Sequence, residues 1–456
     1  MARVVDKLDV SQFARLASLT PASRVAWMDR LRQRGMESFA RQGFPSTRQE
    51  EWRLTSVAPI AKTLFTPGRY TGDEVTRKII APYSIATEAA AELVFINGYF
   101  SPELSSIESL PEGVLLNTLE SEAIDESETL LQRHLSRYAD IDKNPFVALN
   151  TGFLRDGAVI YIDRNVELEL PIHVLFLSTP GEDPIVTNPR LLVVAGENSQ
   201  SAVATTYAGI GEGVYFTNGV TEITVAPGAR VEHCKIQQEL REAFHIATIQ
   251  YNVERGGTII SHNATLGAAL TRNDVNVNLA GEGAEATLNG LTIVEGRQHV
   301  DNRLFLDHAS PNCPSHELYK YVLSENASGV FKGKILVRQA AQKTNAKQTS
   351  QTLLLSDDAV MNSQPALEIY ADDVKCTHGS TTGPLDDQQI FYLRSRGVPL
   401  DAAKHLLTYA FAADITSRIK IEPCRRRLEE YMAAQHGLPK DLRIQKAIAH
   451  DEPVRK

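Results

Sequence analysis

The chain has 456 residues, a formal net charge of −9, 43% hydrophobic and 23% charged residues, and four cysteines. This is an ordinary globular balance, and the acidic charge argues against a dedicated nucleic-acid binder, whose footprint is basic. Cys234, Cys313, Cys376 and Cys424 form no CxxC pair, which argues against a disulfide framework and fits a reducing compartment.

The first residues lack the apolar core of a signal peptide, and no apolar run approaches the roughly 18 residues of a membrane span. The expectation is a cytoplasmic protein without membrane partners. Residues 1 to about 65 read as helical: Leu8, Phe13, Leu16 and Leu19 recur at near-helical spacing, as do Val25, Met28 and Leu31. Pro21 suits the start of the second helix, and Gly43 and Pro45 its end. Ser46 and Thr47 then precede a capped turn leading to Trp52. Residues 66 to 150 are mixed, with a strand over 91–100 and a helix over 128–139.

From about 155 to 375 short β-branched runs alternate with Gly, Asn and Asp. Gly228, Gly257 and Gly283 each sit between two such runs, at nearly even intervals along the chain. A long repeat of this kind favours a β-helix over a sandwich or barrel. Asn and Gln within 275–281 and 346–356 are candidates for stacked ladders or for ordinary polar strand faces. After Cys376 the pattern turns helical again over 384–397, 398–419 and the stretch after Pro423, with a loose tail.

Four groups of residues bear on chemistry. The glycines of AGIGEG (208–213) precede a strand rather than a helix, so they do not suit a phosphate loop, and no GxxxxGK[ST] occurs; no ATP site is expected on this chain. His308, Cys313 and His316, with His299 nearby, are candidate zinc or iron ligands or hydrogen-bonded structural residues. Cys376 and His378 stand two apart, which on a strand puts thiol and imidazole on one face, a pairing suited to a soft or borderline metal. Two groups cannot close such a site, so a loop or second subunit must add ligands. Asp274, Asp301, Asp372 and Asp373 are candidates for the carboxylate cluster of a β-helical polysaccharide-cleaving enzyme.

The stretch from about 295 to 411, from GRQHVDNRLFLDHASPNCPSHE through DDVKCTHGSTTGPLDDQQIFYLRSRGV, closely resembles the shared core of the SufB/SufD family, and FPSTRQEEWRLTSVAPI and VFINGYFS resemble its N-terminal part. The resemblance implies a mainly β fold, a right-handed parallel β-helix core flanked by N-terminal and C-terminal α-helical regions. The expected organisation is a helical and mixed region over 1–150, a β-helix core over 151–376 and a helical domain over 377–456. It also implies a non-enzymatic scaffold subunit for iron–sulfur cluster assembly. That subunit would pair with a SufB-like paralogue through the β-helices and bind a SufC-like ABC-type ATPase through the C-terminal helices. A nascent cluster or iron would be held transiently at the paralogue interface. Reduced flavin on the complex and a homodimer of the isolated chain are left open.

Sulfur-accepting SufB-like members carry a cysteine where Leu393 stands, and leucine cannot carry persulfide. The CTHG segment matches the SufD side of the family, where the histidine contributes at the interface, so His378 carries that role by resemblance and Cys376 is its weaker neighbour. Thr377 and Ser380 stand where serine and alanine are more usual. Against this reading stand two alternatives, a β-helical carbohydrate-active enzyme and a SufB-like sulfur-accepting subunit.

Overall fold

A computed structural model describes residues 10–18, 25–107, 110–122 and 128–435. Its mainly β architecture is a solenoid of about eight turns with helices at both ends of the chain. Two sheets form its walls. The first orders its strands from Val114–Thr118 to Val360–Ile369, the second from Tyr99–Phe100 to Lys375–Gly383, and from Arg190–Ala195 onward successive strands alternate between the two. From Gln200 onward every strand pairs in parallel with the strand one coil away.

The coil length explains why the repeat is visible yet irregular. Phe216 pairs with Phe244, Phe244 with Leu270, and Leu270 with His299, so the length of a coil shifts slightly from one turn to the next. One corner of each coil is a tight turn through the left-handed region. It is occupied in turn by Asn165, Asn198, Gly228, Gly256, Gly283, Asn312 and Lys343. The N–H of each donates to the carbonyl one coil on: Gly228 to Arg255, Gly256 to Glu282, Gly283 to Pro311, Asn312 to Gln342. Gly256 rather than the expected Gly257 takes the positive φ, because Gly257 closes the turn by donating to Glu254 O. Of the ladder candidates, Asn278 Nδ2 donates to Asn252 Oδ1 (3.0 Å), and outside the stretches singled out Asn273 Nδ2 donates to Asn302 Oδ1 (2.8 Å).

Inside the coils, residues at alternate positions stack in columns. One column runs Val231, Ile259, Ala286, Ser315, Ala346 and ends at Cys376. Each fully buried Val, Leu or Ile of such a column contributes roughly 1.5–3 kcal/mol.

The outer face of the first sheet is covered by the N-terminal part. Phe13, Phe39, Trp52 and Phe146 pack on Phe216, Val220, Ile246 and Leu270. The N-terminal helices are Ser11–Ser18 and Ala26–Gln42, the latter ended by Gly43 at φ 67°. Leu8, Leu19 and Pro21 lie outside the described residues. The outer face of the second sheet receives the C-terminal helices Leu400–Thr416 and Glu422–Gln435, through Ala412, Ile415, Leu428 and Met432 on Cys234, Ile236, Ala264 and Leu291. The second sheet's last strand continues to Gly383, so the helical part begins at Asp387 rather than at 377. Its parallel strands also begin upstream of 151, with Ala91–Ile96 beside Ile172–Ser178.

The helix Ala26–Gln42 crosses Pro145–Gly152 at closest approach over Gly35. A Cβ at Gly35 would lie 2.6 Å from Gly152 N and 2.8 Å from Ala148 O. Backbone cannot yield as a side chain does. Overpacking of about 1–3 kcal/mol therefore outweighs the gain of about 1 kcal/mol in helix propensity. Gly35→Ala is expected to lower the urea midpoint read by tryptophan fluorescence; a raised midpoint would show that the crossing has slack.

Candidate functional site at the open end of the solenoid

The last coil consists of Val360–Ile369 and Lys375–Gly383, and among the described residues no strand pairs beyond either. Its residues are exposed or half-buried throughout, whereas the strands one coil back alternate buried residues with half-buried or exposed ones. On Asn345–Leu354, Ala346 and Gln348 are buried while Asn345 and Lys347 are exposed, so the even positions face inward. Cys376 pairs with Ala346 and His378 with Gln348, so both inherit the inward face. They are exposed or half-exposed only because no further coil covers them. The strand periodicity expected from their spacing therefore holds, and it places both groups on the inward face of the last coil, at the open end of the solenoid.

Backbone pairing leaves this edge ready for another strand. Lys375 N donates to Thr344 O. In a parallel ladder alternate residues bond to the same neighbour, so Cys376, His378 and Ser380 direct their N–H and C=O to the free edge. On the other wall Val360 N donates to Ala327 O and Tyr370 N to Val337 O, which leaves Pro365 among the free-edge positions. A proline there sacrifices no internal bond.

Half-burial pushes the Cys376 thiol above its ordinary range, partly offset by a hydrogen bond from the Ala346 backbone. It packs against the interior core as a small apolar group. Behind His378 the interior turns polar. Glu317, Gln348 and His378 are in-register neighbours on three successive coils. Gln348 Nε2 donates to Glu317 Oε2 at 2.7 Å. Burial pushes the Glu317 carboxyl up to about 8, moderated by that hydrogen bond. Deeper in the lumen the buried amine of Lys235, pushed down to about 7 by burial, lies 2.9 Å from His245 Nε2 and donates to Asn273 Oδ1. His245 Nδ1 is in turn 2.7 Å from Glu239 Oε2, though poorly aligned for donation.

The other sequence candidates do not converge. His308 is buried, its Nε2 3.0 Å from Ser315 Oγ, and burial pushes its imidazole down to about 4. Cys313 turns into the core, with Sγ 3.4 Å from the carbonyls of Gly281 and Pro311. His316 is exposed on the outer face, and His299 contacts Thr55 and Ser328. No group of three or more His, Cys, Asp and Glu placed to hold a metal occurs among the described residues. Asp274 and Asp301 do meet, but across Arg272, and Asp301 also pairs with Arg303 beneath Trp52 and Thr55. Asp373 pairs with Lys343 at an exposed turn, beside Asp372. The AGIGEG segment joins two strands, Gln200–Gly209 and Tyr215–Val225, so its glycines open a strand and not a helix.

Beyond the open end, Asp386 caps the helix Asp387–Ser395 by accepting from Gln388 N. This helix leaves Phe391 74% and Tyr392 58% exposed, with Leu393 half-buried. No helix among the described residues is long and apolar enough to cross a membrane.

Comparison with known proteins finds relatives over most of the chain. A family model described as SUF system FeS cluster assembly, SufBD core domain, matches residues 176–411, and one described as SufBD protein N-terminal region matches 10–174. An iron–sulfur cluster assembly SufBD family protein of Synechocystis sp. is 35% identical over 401 residues, covering 86% of this chain and 87% of the relative. The iron–sulfur cluster assembly protein SufD of Escherichia coli is 28% identical over 399 residues, 87% and 90% of the two chains. That of Bacillus subtilis is 23% identical over 415 residues, 88% and 92%.

Proposed function

Since the chain belongs to the SufBD family of iron–sulfur cluster assembly proteins, we propose that it is the SufD-type scaffold subunit of a SUF complex, not an enzyme by itself. Its open solenoid end pairs with a SufB-like paralogue. There His378, with Cys376 beside it, lends a ligand to iron or a nascent cluster, the cargo of the machine. Its C-terminal helices dock a SufC-like ATPase.

The observation that carries this reading is the last strand. It presents an imidazole and a thiol on the inward face of an uncapped end, with two unpaired sheet edges around them. Such edges are templates for another chain. A site with one histidine and one protonated thiol is incomplete, and a second subunit added edge to edge brings its own side chains to the same axis. Leu393 carries no sulfur chemistry, which supports assigning persulfide to the paralogue. The exposed Phe391 and Tyr392 are aromatic residues of the kind enriched at interface hot spots, which supports a docking role for the C-terminal helices.

Ser380→Pro tests the pairing. By the alternation of the parallel ladder, the N–H it removes points to the free edge, so folding is expected to survive while edge pairing fails. Co-expressed with SufB-like and SufC-like partners, the variant is expected to lose most of the co-purifying paralogue and to keep the native circular dichroism spectrum. Undiminished recovery of the paralogue would overturn edge pairing.

A further inference from the structure

His378 is one coil above a buried amide that is held on one side and unpartnered on the other. Gln348 is 1% exposed and Glu317 2%. The Gln348 amide is fixed through its nitrogen, which donates to Glu317 Oε2 at 2.7 Å. Across the lumen it lies against Gly333, where a Cβ would stand 2.2 Å from Gln348 Nε2 and 2.7 Å from Oε1. The absence of a side chain at 333 is what makes room for the amide. With its nitrogen committed, its oxygen is the free end, and Gln348 Oε1 has no hydrogen-bond partner. A buried acceptor left open costs about 1–3 kcal/mol, so the pocket favours a donor arriving there. In-register pairing puts the His378 imidazole on the next rung of the same column.

We propose that Gln348, anchored by Glu317, is the positioning residue for His378: its Oε1 accepts the inward ring N–H of the imidazole and so fixes the tautomer whose bare nitrogen faces out of the open end. A histidine ligand is normally oriented in this way, by a hydrogen bond from its other ring nitrogen. The amide is a better partner here than a carboxylate, because it adds no second ionisable acid to a buried column that already holds Glu317. This inference rests on the reading of His378 as a ligand and deepens it by naming what aims the ring.

The test is the 15N spectrum of the imidazole in the full-length chain labelled on histidine, at a pH of about 8, above the ordinary imidazole range. The His378 signals are assigned by their loss in His378→Ala. One protonated and one bare ring nitrogen are expected in the wild type. Gln348→Met, close in volume, is expected to lose that pattern and give averaged shifts on both nitrogens. Gly333→Ala, which displaces the amide without altering it, is expected to do the same, and serves if the first variant folds poorly. Glu317→Gln still accepts from Gln348 Nε2 and is expected to keep the wild-type pattern, whereas Glu317→Leu is expected to lose it. Averaged shifts in the wild type, or a wild-type pattern in folded Gln348→Met, would overturn the positioning role. That result leaves the ligand role of His378 standing, because the ligand role is read separately, from cluster assembly by His378→Ala in the complex.

Discussion

Glu222→Ala is expected to destabilise the protein by about 3–5 kcal/mol, a large part of the roughly 5–15 kcal/mol of a folded domain. Glu222 and Arg190 are both wholly buried and paired. The carboxylate also accepts from the backbone N–H groups of Ser136, Tyr138 and Ala139. The guanidinium reaches Asn150 Oδ1 and Ser136 Oγ. Through these bonds one ion pair ties the segment after Glu128–His134 and the helix Pro145–Gly152 to two neighbouring strands of the first sheet. Removing the carboxylate strands a buried cation and three donors together, which is far costlier than losing a surface pair. Glu222→Gln keeps an acceptor for the donors and is expected to lose less. Both tryptophans, Trp27 and Trp52, lie in the N-terminal part that this network anchors, so urea unfolding followed by their fluorescence reads the effect directly. A loss below about 1 kcal/mol, the scale of an exposed pair, would show that the cluster is not a tie.

How much of this is legible in the sequence depends on distance along the chain. The coil period shows in the sequence because Gly228 and Gly283 do occupy stacked corners. It fades where Asn198, Asn312 and Lys343 fill the same corner, since several residue types tolerate one left-handed turn when the coil above supplies a hydrogen bond. The last strand, with its polar CTHGSTTG, lacks the apolar alternation that marks a strand, because at an uncapped end the inward positions have no core to fill. Hence the sequence reads as leaving the β-helix at 376, whereas the strand ends at Gly383. Within the site, the common face of Cys376 and His378 follows from local periodicity. Gln348 and Glu317 do not, because they reach His378 only through the pairing of one coil on the next, and a coil length that drifts from turn to turn cannot be fixed from one sequence. Arg190 and Glu222 are hidden for the same reason, since they meet across neighbouring strands of adjacent coils. The family resemblance supplies the assembly role that periodicity cannot.

His378→Ala carries the second large effect. The imidazole is exposed and its one proposed bond to the coil is to Gln348 Oε1, so its loss is expected to cost unfolding no more than about 1–3 kcal/mol, the penalty of reopening that acceptor. Loss of a metal ligand is expected to cost at least as much as the tenfold or more seen when a ligand's supporting partner is removed. Cys376→Ser is expected to cost less, since its thiol packs on the core and burial keeps it protonated. The decisive measurement is anaerobic cluster formation, followed by visible absorption, on the purified complex of this chain with its SufB-like and SufC-like partners. The expected result is an intact complex in which His378→Ala lowers cluster formation about tenfold or more. Wild-type cluster formation by that variant, in an equally intact complex, would contradict a ligand at the open end of the solenoid.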